Sequence, residues 1–374
     1  MPRKSKVDKA GKLSLKDMQK LINKRAGMAV AYDLNEDNPT IVKEWIPTGS
    51  RVLDSIICRG QLAGLPAGKI VEIAGLQATG KSYMAAQAAA NAQKMGFDVI
   101  YFDSESAIDP EFLKNAGCNL DTLLYVQASS VEFVLETIED LLANNENKML
   151  FIWDSLALTP SNSDVEGDFN PLSSMAVKPR ILSKGLSKLT VPIANSGSVM
   201  LVLNQLKTNI TMNVAEALTT PYFTPGGKAL AYAYSLRIWL TKRKAKNAFI
   251  TNDAGFRIGS EVKVKLEKSR FGTEGRMCQF QIIWGEAQPR ILDKESWFDA
   301  VKVSDQLKSG GPWWTLTFDD GTQKKFQGGA WLEMLEDKKF YDQIIKIMDR
   351  ELIQKFDEQT GDASAYYESK EDED

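Results

Sequence analysis

A glycine-rich segment near residue 80 constrains the fold of this chain more than any other feature. Residues 75–82, GLQATGKS, match the pattern GxxxxGK[ST], follow the apolar run KIVEIA and precede an alanine-rich stretch, 83–94. In such a setting the backbone N–H groups surround a phosphate, Lys81 reaches the β- and γ-phosphates, and the Ser82 hydroxyl binds Mg²⁺. The pattern predicts an ATP and Mg²⁺ site, whereas the alternative is a plain glycine turn that opens a helix. The residues predicted to contact the nucleotide are Gly75, Gln77, Ala78, Thr79, Gly80, Lys81, Ser82 and Tyr83.

The composition of the chain excludes several other classes of protein. Its 374 residues are 43% hydrophobic and 25% charged, which is typical of folded globular proteins, and the length allows two or three domains. No apolar run approaches the roughly 18 residues that span a bilayer, and the basic N-terminus lacks the apolar core of a signal peptide. We therefore expect a cytoplasmic protein without membrane contacts. Three widely spaced cysteines argue against a disulfide framework, and the absence of histidine excludes catalytic triads that need it.

Short apolar runs that end in polar residues predict the strands of an α/β fold. The early runs, KIVEIAG, DVIYFDSE, KMLFIWDS and SVMLVLNQ, alternate with helical stretches and favour a mainly parallel sheet with helices on both faces. The later runs, SLRIWLTK, EVKVKLEKS and CQFQIIWG, lie closer together and favour antiparallel additions. Ligands gather at the carboxyl ends of parallel strands, so the polar residues that follow these runs are candidate site residues.

Two carboxylates at predicted strand ends suit the chemistry of a nucleotide site. Asp154 is predicted to hold Mg²⁺ through water, although an acid after a strand is also a common helix N-cap. Because histidine is absent, a carboxylate is the best group to orient or deprotonate the water that attacks the γ-phosphate. Of Asp103 and Glu105, we favour Glu105 for this role.

Charge and pattern divide the chain into four predicted segments. Residues 1–40 hold a basic helix and a polar linker, and the first 25 residues carry a net charge of +7. Residues 41–288 form the predicted core, and residues 289–356 form a small α+β domain with a hairpin that turns at 319–321. Residues 357–374 carry a net charge of −7 and no apolar pattern, so we expect a disordered acidic tail. Both charged ends can also serve solvation alone.

The order and the amino-acid sequences of several motifs resemble those of the RecA family of DNA strand-exchange recombinases. The similar segments run from about residue 12 to the acidic tail, and their number and order make the resemblance specific. The segments are PTGSRVLD, GLPAGKIVEIAGLQATGKS, FDSESAIDP, WDSLALTP, LNQ, TPGGKAL, GSEVKVKLEKSRF and FQIIWGE. The resemblance implies a RecA-like P-loop ATPase core, with residues 1–40 serving oligomerisation.

The resemblance also implies roles for side chains around the nucleotide. Glu105 resembles the catalytic glutamate of the family, and Asp109 with Phe112 resembles its adenine-contacting pair. Trp284, which follows FQII, is expected near the adenine. Asp109 before Pro110 is equally suited to capping a helix, and that reading is compatible with adenine contact.

Three further residues resemble parts of the family's ATPase machinery. Gln205 resembles the γ-phosphate sensor that links the nucleotide state to the following loop, although a glutamine there can be an ordinary polar strand end. Lys268 and Arg270 resemble a basic pair that reaches ATP bound to the neighbouring subunit. Such cations would neutralise charge on the γ-phosphate as an arginine finger does, while the alternative is a solvated strand end.

Two segments resemble the DNA-binding loops of the family. The first spans residues 164–175 and runs on to 180, and the second spans residues 206–225, ahead of two glycines. The second is longer than in bacterial RecA and carries apolar side chains that can insert between bases, although a long loop can also be merely a loop. The residues predicted to contact DNA are Glu166, Gly167, Met175, Arg180, Lys207, Thr208, Asn209, Ile210, Met212, Tyr222, Phe223, Gly226 and Gly227.

Together these features predict an ATP-dependent homologous recombination protein. We expect a helical filament on single-stranded DNA that pairs it with duplex DNA and exchanges strands, with DNA-stimulated ATP hydrolysis. Single-strand-binding and mediator proteins are further candidate partners. Departures from bacterial RecA, such as Ser106 and Trp153, favour a phage-encoded member. The alternatives are a regulatory paralogue that binds nucleotide without exchanging strands and a hexameric helicase on the same core.

Overall fold

The chain divides into two compact units, Met1–Lys43 and Glu44–Asp374. The computed structural model describes residues 13–27, 29–36, 38–167, 177–210, 221–242, 248–284 and 290–353. The acidic tail lies outside these residues, and the domain boundaries at residues 40 and 289 stay predictions. No helix in the described part of the chain is long and apolar enough to cross a membrane.

The described residues of the first unit contain one amphipathic helix, α1 (Leu15–Ala26). Ser14 caps it by accepting a hydrogen bond from the Asp17 N–H, and Gly27 ends it with a φ of 70°. None of its residues is buried, and its apolar positions form an exposed stripe. The stripe consists of Leu15, Met18, Leu21 and Ile22.

The described residues of the second unit form a ten-stranded sheet, a three-stranded sheet and two two-stranded sheets. Its strands are β1 (Trp45–Ile46), β2 (Leu65–Pro66), β3 (Ile70–Gly75), β4 (Asp98–Asp103), β5 (Leu123–Gln127), β6 (Met149–Asp154), β7 (Val199–Gln205), β8 (Lys207–Thr208), β9 (Tyr222–Phe223), β10 (Leu236–Lys242), β11 (Phe249–Thr251), β12 (Arg257–Ser269), β13 (Met277–Ile283), β14 (Arg290–Leu292), β15 (Leu307–Gly310), β16 (Trp313–Thr317) and β17 (Gln323–Gln327). Its helices are α2 (Arg51–Ile57), α3 (Lys81–Lys94), α4 (Pro110–Asn115), α5 (Val131–Asn144), α6 (Asn162–Glu166), α7 (Val177–Ser196), α8 (Lys228–Ala233), α9 (Asp293–Val301), α10 (Trp331–Met334) and α11 (Lys338–Glu351).

The strand order of the large sheet confirms the predicted fold class. Across the sheet the order is β14-β13-β12-β10-β3-β7-β6-β4-β5, and β11 pairs with β12. All neighbours from β10 to β5 are parallel, and those from β10 to β14 are antiparallel. The expectation for β10 needs correction, because it runs parallel to β3 as well as antiparallel to β12. The parallel part of the sheet therefore ends with β10, and β12 is the first strand that runs in the opposite direction.

The inner strands are apolar on both faces because helices cover both. On β6, Leu150 and Ile152 belong to a buried cluster with residues of α3, whereas Phe151 and Trp153 belong to a second cluster with residues of α5 and α7. Alternate side chains of a strand point to opposite faces, so a strand covered on both sides reads as an unbroken apolar run. These helices fix the strands and hence the positions of their polar ends.

The segment after the large sheet folds around a further buried cluster, which Val52 of α2 also joins. Strands β15, β16 and β17 form an antiparallel sheet that packs with α9, α10 and α11. Phe326, Trp331 and Phe340 lie at the centre of this cluster, with ring centroids 5.3–6.1 Å apart. The hairpin between β16 and β17 turns at 319–321 as expected, where Gly321 has a φ of 81°.

Candidate nucleotide-binding site

The ends of neighbouring parallel strands bring the predicted polar residues to one edge of the sheet. In the register of β3 and β7, Gly75 lies opposite Gln205. In the register of β4 and β6, Asp103 lies opposite Asp154. Residues far apart in sequence therefore meet where the glycine-rich loop leaves β3, at the carboxyl edge that predictions for parallel sheets favour.

The glycine-rich loop has the shape of a phosphate cradle. The Thr79 hydroxyl donates to the Leu76 carbonyl at 2.8 Å and closes the loop, while Ala78 and Gly80 have positive φ values of 55° and 84°. The φ of Gly80 favours glycine, and a Cβ there would lie 2.3 Å from Ile282 Cδ1, so the end of the Ile282 side chain would have to shift. Helix α3 begins directly after it, and its N-terminus favours an anion at this point.

Lys81 is held at the mouth of this loop. Its Nζ donates to the carbonyls of Gly75 and Leu76 at 3.3 and 3.2 Å. Burial lowers the pKa of Lys81, and the nearby carboxylates of Asp154 and Glu105 partly offset that change. Among the described residues, the Lys81 ammonium group donates to carbonyls and forms no ion pair. Its positive charge is therefore available to a phosphate.

Ser82 and Asp154 form the candidate magnesium position. The Ser82 hydroxyl donates to Asp154 Oδ2 at 2.8 Å. Hydroxyl and carboxylate oxygens are ligands that Mg²⁺ accepts, and Mg²⁺ commonly keeps phosphate oxygens and waters as its other ligands. The described residues contain no group of three or more histidine, cysteine or acidic side chains that could hold a metal, so phosphate and water would have to complete the coordination at Ser82 and Asp154.

The Asp154 carboxylate has a second donor that sequence reasoning missed. The Tyr101 hydroxyl, from the buried middle of β4, donates to the same Oδ2 atom at 2.9 Å. Asp154 is only 7% exposed, and burial raises its pKa, while the hydrogen bonds from Ser82 and Tyr101 act in the opposite direction. The carboxylate is therefore fixed from two sides before any ligand arrives.

Glu105 and Asp103 have different surroundings. The two Asp103 carboxylate oxygens accept hydrogen bonds from the backbone N–H groups of Glu105, Ala107 and Ile108 at 2.8–3.2 Å. Asp103 thus holds the turn after β4 in shape. Glu105 is exposed, and its Oε1 accepts a hydrogen bond from the Ser155 hydroxyl at 3.0 Å. Glu105 is therefore the more accessible of the two carboxylates, and its role toward water stays a prediction.

Among the predicted adenine contacts, Phe112 lies beside Tyr83 of α3. Asp109 caps α4, and the ring of Phe112 lies 6.3 Å from that of Tyr83. Phe112, Tyr83 and Trp284 all pack against one buried cluster. Arg257 lies with its Cζ 5.2 Å from the Trp284 ring centre, a cation–π contact that the sequence pattern did not indicate.

Lys242 is another neighbour of the phosphate loop that the sequence analysis missed. Its Nζ donates to the Gln77 carbonyl at 2.5 Å. The register of β10 with β3, in which Leu240 lies opposite Gly75, carries the end of β10 to the loop. Only this register could have identified Lys242, since a lysine at a strand end is common.

The basic pair lies far from the phosphate loop of its own chain. Lys268 Nζ donates to the Ala231 carbonyl at 2.6 Å, and Arg270 Nη2 donates to the Tyr232 carbonyl at 2.9 Å. Both contacts are at the C-terminus of α8, at the edge where β3 and β10 begin. The six residues of β3, at about 3.3 Å each, separate this edge from the loop by roughly 20 Å.

Four of the predicted DNA-contacting residues form the stem of the second loop. Lys207 and Thr208 pair with Tyr222 and Phe223 in a short antiparallel ladder. Ile210, beyond the ladder, is 96% exposed. The Asn209 N–H closes the stem by donating to the Pro221 carbonyl at 2.9 Å. Met212 lies outside the described residues.

The first loop and the glycines after the second are placed as follows. Glu166 ends α6, Gly167 follows it, and Arg180 is exposed on the first turn of α7. Gly226 and Gly227 adopt φ values of 106° and 88° and lead into α8. Met175 lies outside the described residues.

A buried polar network ties the second loop to the central strand. Glu72, with a fully buried side chain, forms an ion pair with Arg237 at 2.6 Å and accepts a hydrogen bond from Asn204 at 2.9 Å. Asn204 Nδ2 also donates to the Pro225 carbonyl at 3.1 Å, and Arg237 Nη2 donates to the Thr224 hydroxyl at 2.8 Å. The loop's return stem is therefore bonded to the residue that precedes Gln205.

Comparison with known proteins identifies the family of this chain. The family model described as RecA N-terminal domain matches residues 12–288. The chain is 31% identical over 339 residues to Protein RecA of Nocardia farcinica, covering 91% of both chains. It is also 31% identical over 329 residues to Protein RecA of Fusobacterium nucleatum, covering 88% of this chain and 82% of that one. The phage origin stays a prediction. With its fold, its strand-edge residues and these relatives in accord, the chain belongs to the RecA family of recombination proteins.

Proposed function

We propose that this chain hydrolyses ATP in response to single-stranded DNA and, as a filament on that DNA, pairs it with homologous duplex DNA and exchanges strands. The observation that carries the proposal is the assembly of Lys81, Ser82, Asp154 and Glu105 at the strand edge that also holds Gln205. The finer roles of these residues are part of the proposal.

In the proposed reaction, the backbone N–H groups at the start of α3 and Lys81 hold the phosphates. Ser82 and Asp154 would hold Mg²⁺, which would screen the charge of the phosphates. Glu105 orients the attacking water and accepts its proton, and the Ser155 hydroxyl keeps the carboxylate in place. Gln205 lies next to Gly75 in the sheet and senses the γ-phosphate. It is the last residue of β7 and directly precedes the second loop.

Exposed groups on the second stem support DNA binding. Lys207 offers a cation to phosphate, and Ile210 and Phe223 are exposed apolar side chains that suit contact with unstacked bases. Two features support self-assembly: the exposed apolar stripe of α1, and the basic pair beside Tyr232, which is 75% exposed. Single-strand-binding and mediator proteins remain candidate partners.

Electron microscopy with ATP and single-stranded DNA tests the proposal in one experiment. We expect helical filaments that disassemble when ATP is exhausted. Closed rings would favour the hexameric helicase, and nucleotide binding without any ordered assembly would favour the regulatory paralogue.

The link between Thr224 and Arg237 leads to a first prediction. Thr224→Val keeps the shape of the side chain but removes the hydroxyl that accepts from Arg237. Losing a hydrogen bond to a charged group costs about 1.5–3 kcal/mol, so we expect DNA stimulation of ATP hydrolysis to fall about tenfold or more. Steady-state hydrolysis against DNA concentration measures this, and Thr224→Ser should restore stimulation. Equal stimulation of the Val and Ser variants would refute the positioning role of the hydroxyl.

The acidic tail leads to a second prediction. Deleting residues 357–374 removes eight acidic residues and one lysine, which changes the formal net charge from −3 to +4. A tethered anionic segment competes with DNA phosphate, so its removal should strengthen duplex binding at low salt and low magnesium. The gain should shrink with added salt, because the screening length is only about 10 Å at 0.1 M. Binding isotherms across a salt series measure the effect, and superimposable curves at low salt would assign the tail to solubility.

A further inference from the structure

We propose that Tyr101 is a positioning residue for the magnesium ion of the bound nucleotide. The inference rests on the proposed ATP and Mg²⁺ site, and it deepens that site by assigning the donor that sets the orientation of the Asp154 carboxylate. It concerns the hydroxyl group of Tyr101 and not its ring.

The position of Tyr101 separates the ring from the hydroxyl. The side chain is fully buried and belongs to the apolar cluster that α3 covers. Its hydroxyl donates to Oδ2 of Asp154, the last residue of β6, at 2.9 Å. A phenylalanine would fill the same apolar space, so the hydroxyl is explained by its bond to Asp154 and not by packing.

The two donors to Asp154 differ in what a ligand does to them. The Ser82 hydroxyl, which donates to Oδ2 at 2.8 Å, is itself the expected metal ligand, so its geometry changes when the cation binds. The Tyr101 hydroxyl is not an expected metal ligand, so its bond to Oδ2 should persist when the cation binds. Both of these hydrogen bonds end at Oδ2, so among the described residues Oδ1 would be the oxygen left to accept from a magnesium-bound water.

The expected size of the effect follows from metal sites in general. Groups that orient a metal-binding residue through a hydrogen bond typically contribute 10- to 100-fold to metal affinity. Without the Tyr101 hydroxyl, a carboxylate that is 7% exposed loses one of its two described donors and can rotate or recruit water. Tyr101→Phe should therefore weaken Mg²⁺ binding about tenfold without changing how the phosphate loop holds nucleotide.

The experiment is a Mg²⁺ titration of nucleotide affinity, read from fluorescent ADP without turnover. For Tyr101→Phe we expect the Mg²⁺ midpoint to rise about tenfold, with the affinity for magnesium-free nucleotide unchanged. Tyr234→Phe is the matched control. Tyr234 is also fully buried, but its hydroxyl has no hydrogen-bond partner among the described residues, so removing it should leave the midpoint in place.

The outcomes distinguish the inference from the proposed function. An unchanged midpoint in Tyr101→Phe, with magnesium-dependent binding in the parent protein, overturns the inference alone. Weaker magnesium-free binding in the variant would also overturn it, since the hydroxyl would then shape the phosphate loop. Nucleotide binding that never responds to Mg²⁺ in the parent would instead overturn the proposed function.

A second comparison covers the case in which Tyr101→Phe does not fold. In an Asp154→Ala background the acceptor is gone, so adding Tyr101→Phe should neither lower thermal stability nor move the Mg²⁺ midpoint further. A double variant that is less stable than Asp154→Ala, or that has a higher midpoint, would overturn the inference because the hydroxyl would act through another group.

Discussion

Replacing Glu105 by glutamine is expected to lower DNA-stimulated ATP hydrolysis at least about 100-fold, the usual contribution of a positioned general base. Glutamine keeps the size of the side chain and an oxygen that can accept from the Ser155 hydroxyl, whose bond to Glu105 Oε1 is 3.0 Å long. The phosphate loop is untouched, so binding of ATP and of single-stranded DNA should remain. Steady-state hydrolysis and equilibrium binding of the same preparation measure the two effects.

The matched control for this variant is Glu111→Gln, which removes an exposed carboxylate from the first turn of α4. It should leave hydrolysis within about twofold, since exposed substitutions of this kind seldom alter their surroundings. Wild-type hydrolysis by Glu105→Gln would show that another group activates the water. Loss of ATP binding by the same variant would show instead that Glu105 acts on the nucleotide itself.

Removing both cations of the basic pair should lower hydrolysis even further. If Lys268 and Arg270 neutralise transition-state charge at a neighbouring site, the double alanine variant should lose about 10³-fold in DNA-stimulated hydrolysis, as arginine-finger removal does. ATP binding by the isolated chain should remain, because the pair lies at the opposite edge of the sheet from its own phosphate loop. The control is Lys263→Ala/Lys265→Ala, which removes two cations from the same strand.

Mixing variants tests whether the pair acts between subunits. Lys81→Ala should lose ATP binding but keep both cations, so it can complete the site of a double-alanine neighbour. In a co-assembled equal mixture, random head-to-tail contacts should restore about a quarter of the wild-type rate per protomer. No recovery in a mixture shown to co-assemble would argue against action between subunits.

The sequence pattern was sufficient for the parts of the fold that depend on burial. The inner strands are buried on both faces, so each appeared as an apolar run, and the polar residues after those runs do meet at one edge. Strand β5 was not among the predicted strands, although residues 123–126 form a short apolar run; it lies at the edge of the sheet, where Leu124 and Tyr125 are exposed. The direction of β10 was only half predicted, since spacing along the chain does not reveal a strand's second neighbour.

Long-range polar pairs could not be predicted from the sequence. Glu72 lies inside an apolar run, and nothing local identifies Arg237, 165 residues later, as its partner. The same holds for Tyr101, which reaches Asp154 across 53 residues and otherwise appears as an aromatic core residue. Such pairs depend on strand order and register, which the fold supplies and periodicity does not.

The phosphate loop and the basic pair lie at opposite edges of one sheet, and this placement affects how much ATP an assembly of a given length hydrolyses. In the proposed mechanism no single protomer holds a complete hydrolytic site, because each site takes its cations from the next copy. A linear assembly then always has one terminal subunit whose nucleotide is spared, and a free protomer keeps its ATP intact. The rate of ATP hydrolysis per subunit should therefore increase with assembly length. Short assemblies should consume their bound ATP more slowly, per subunit, than long ones.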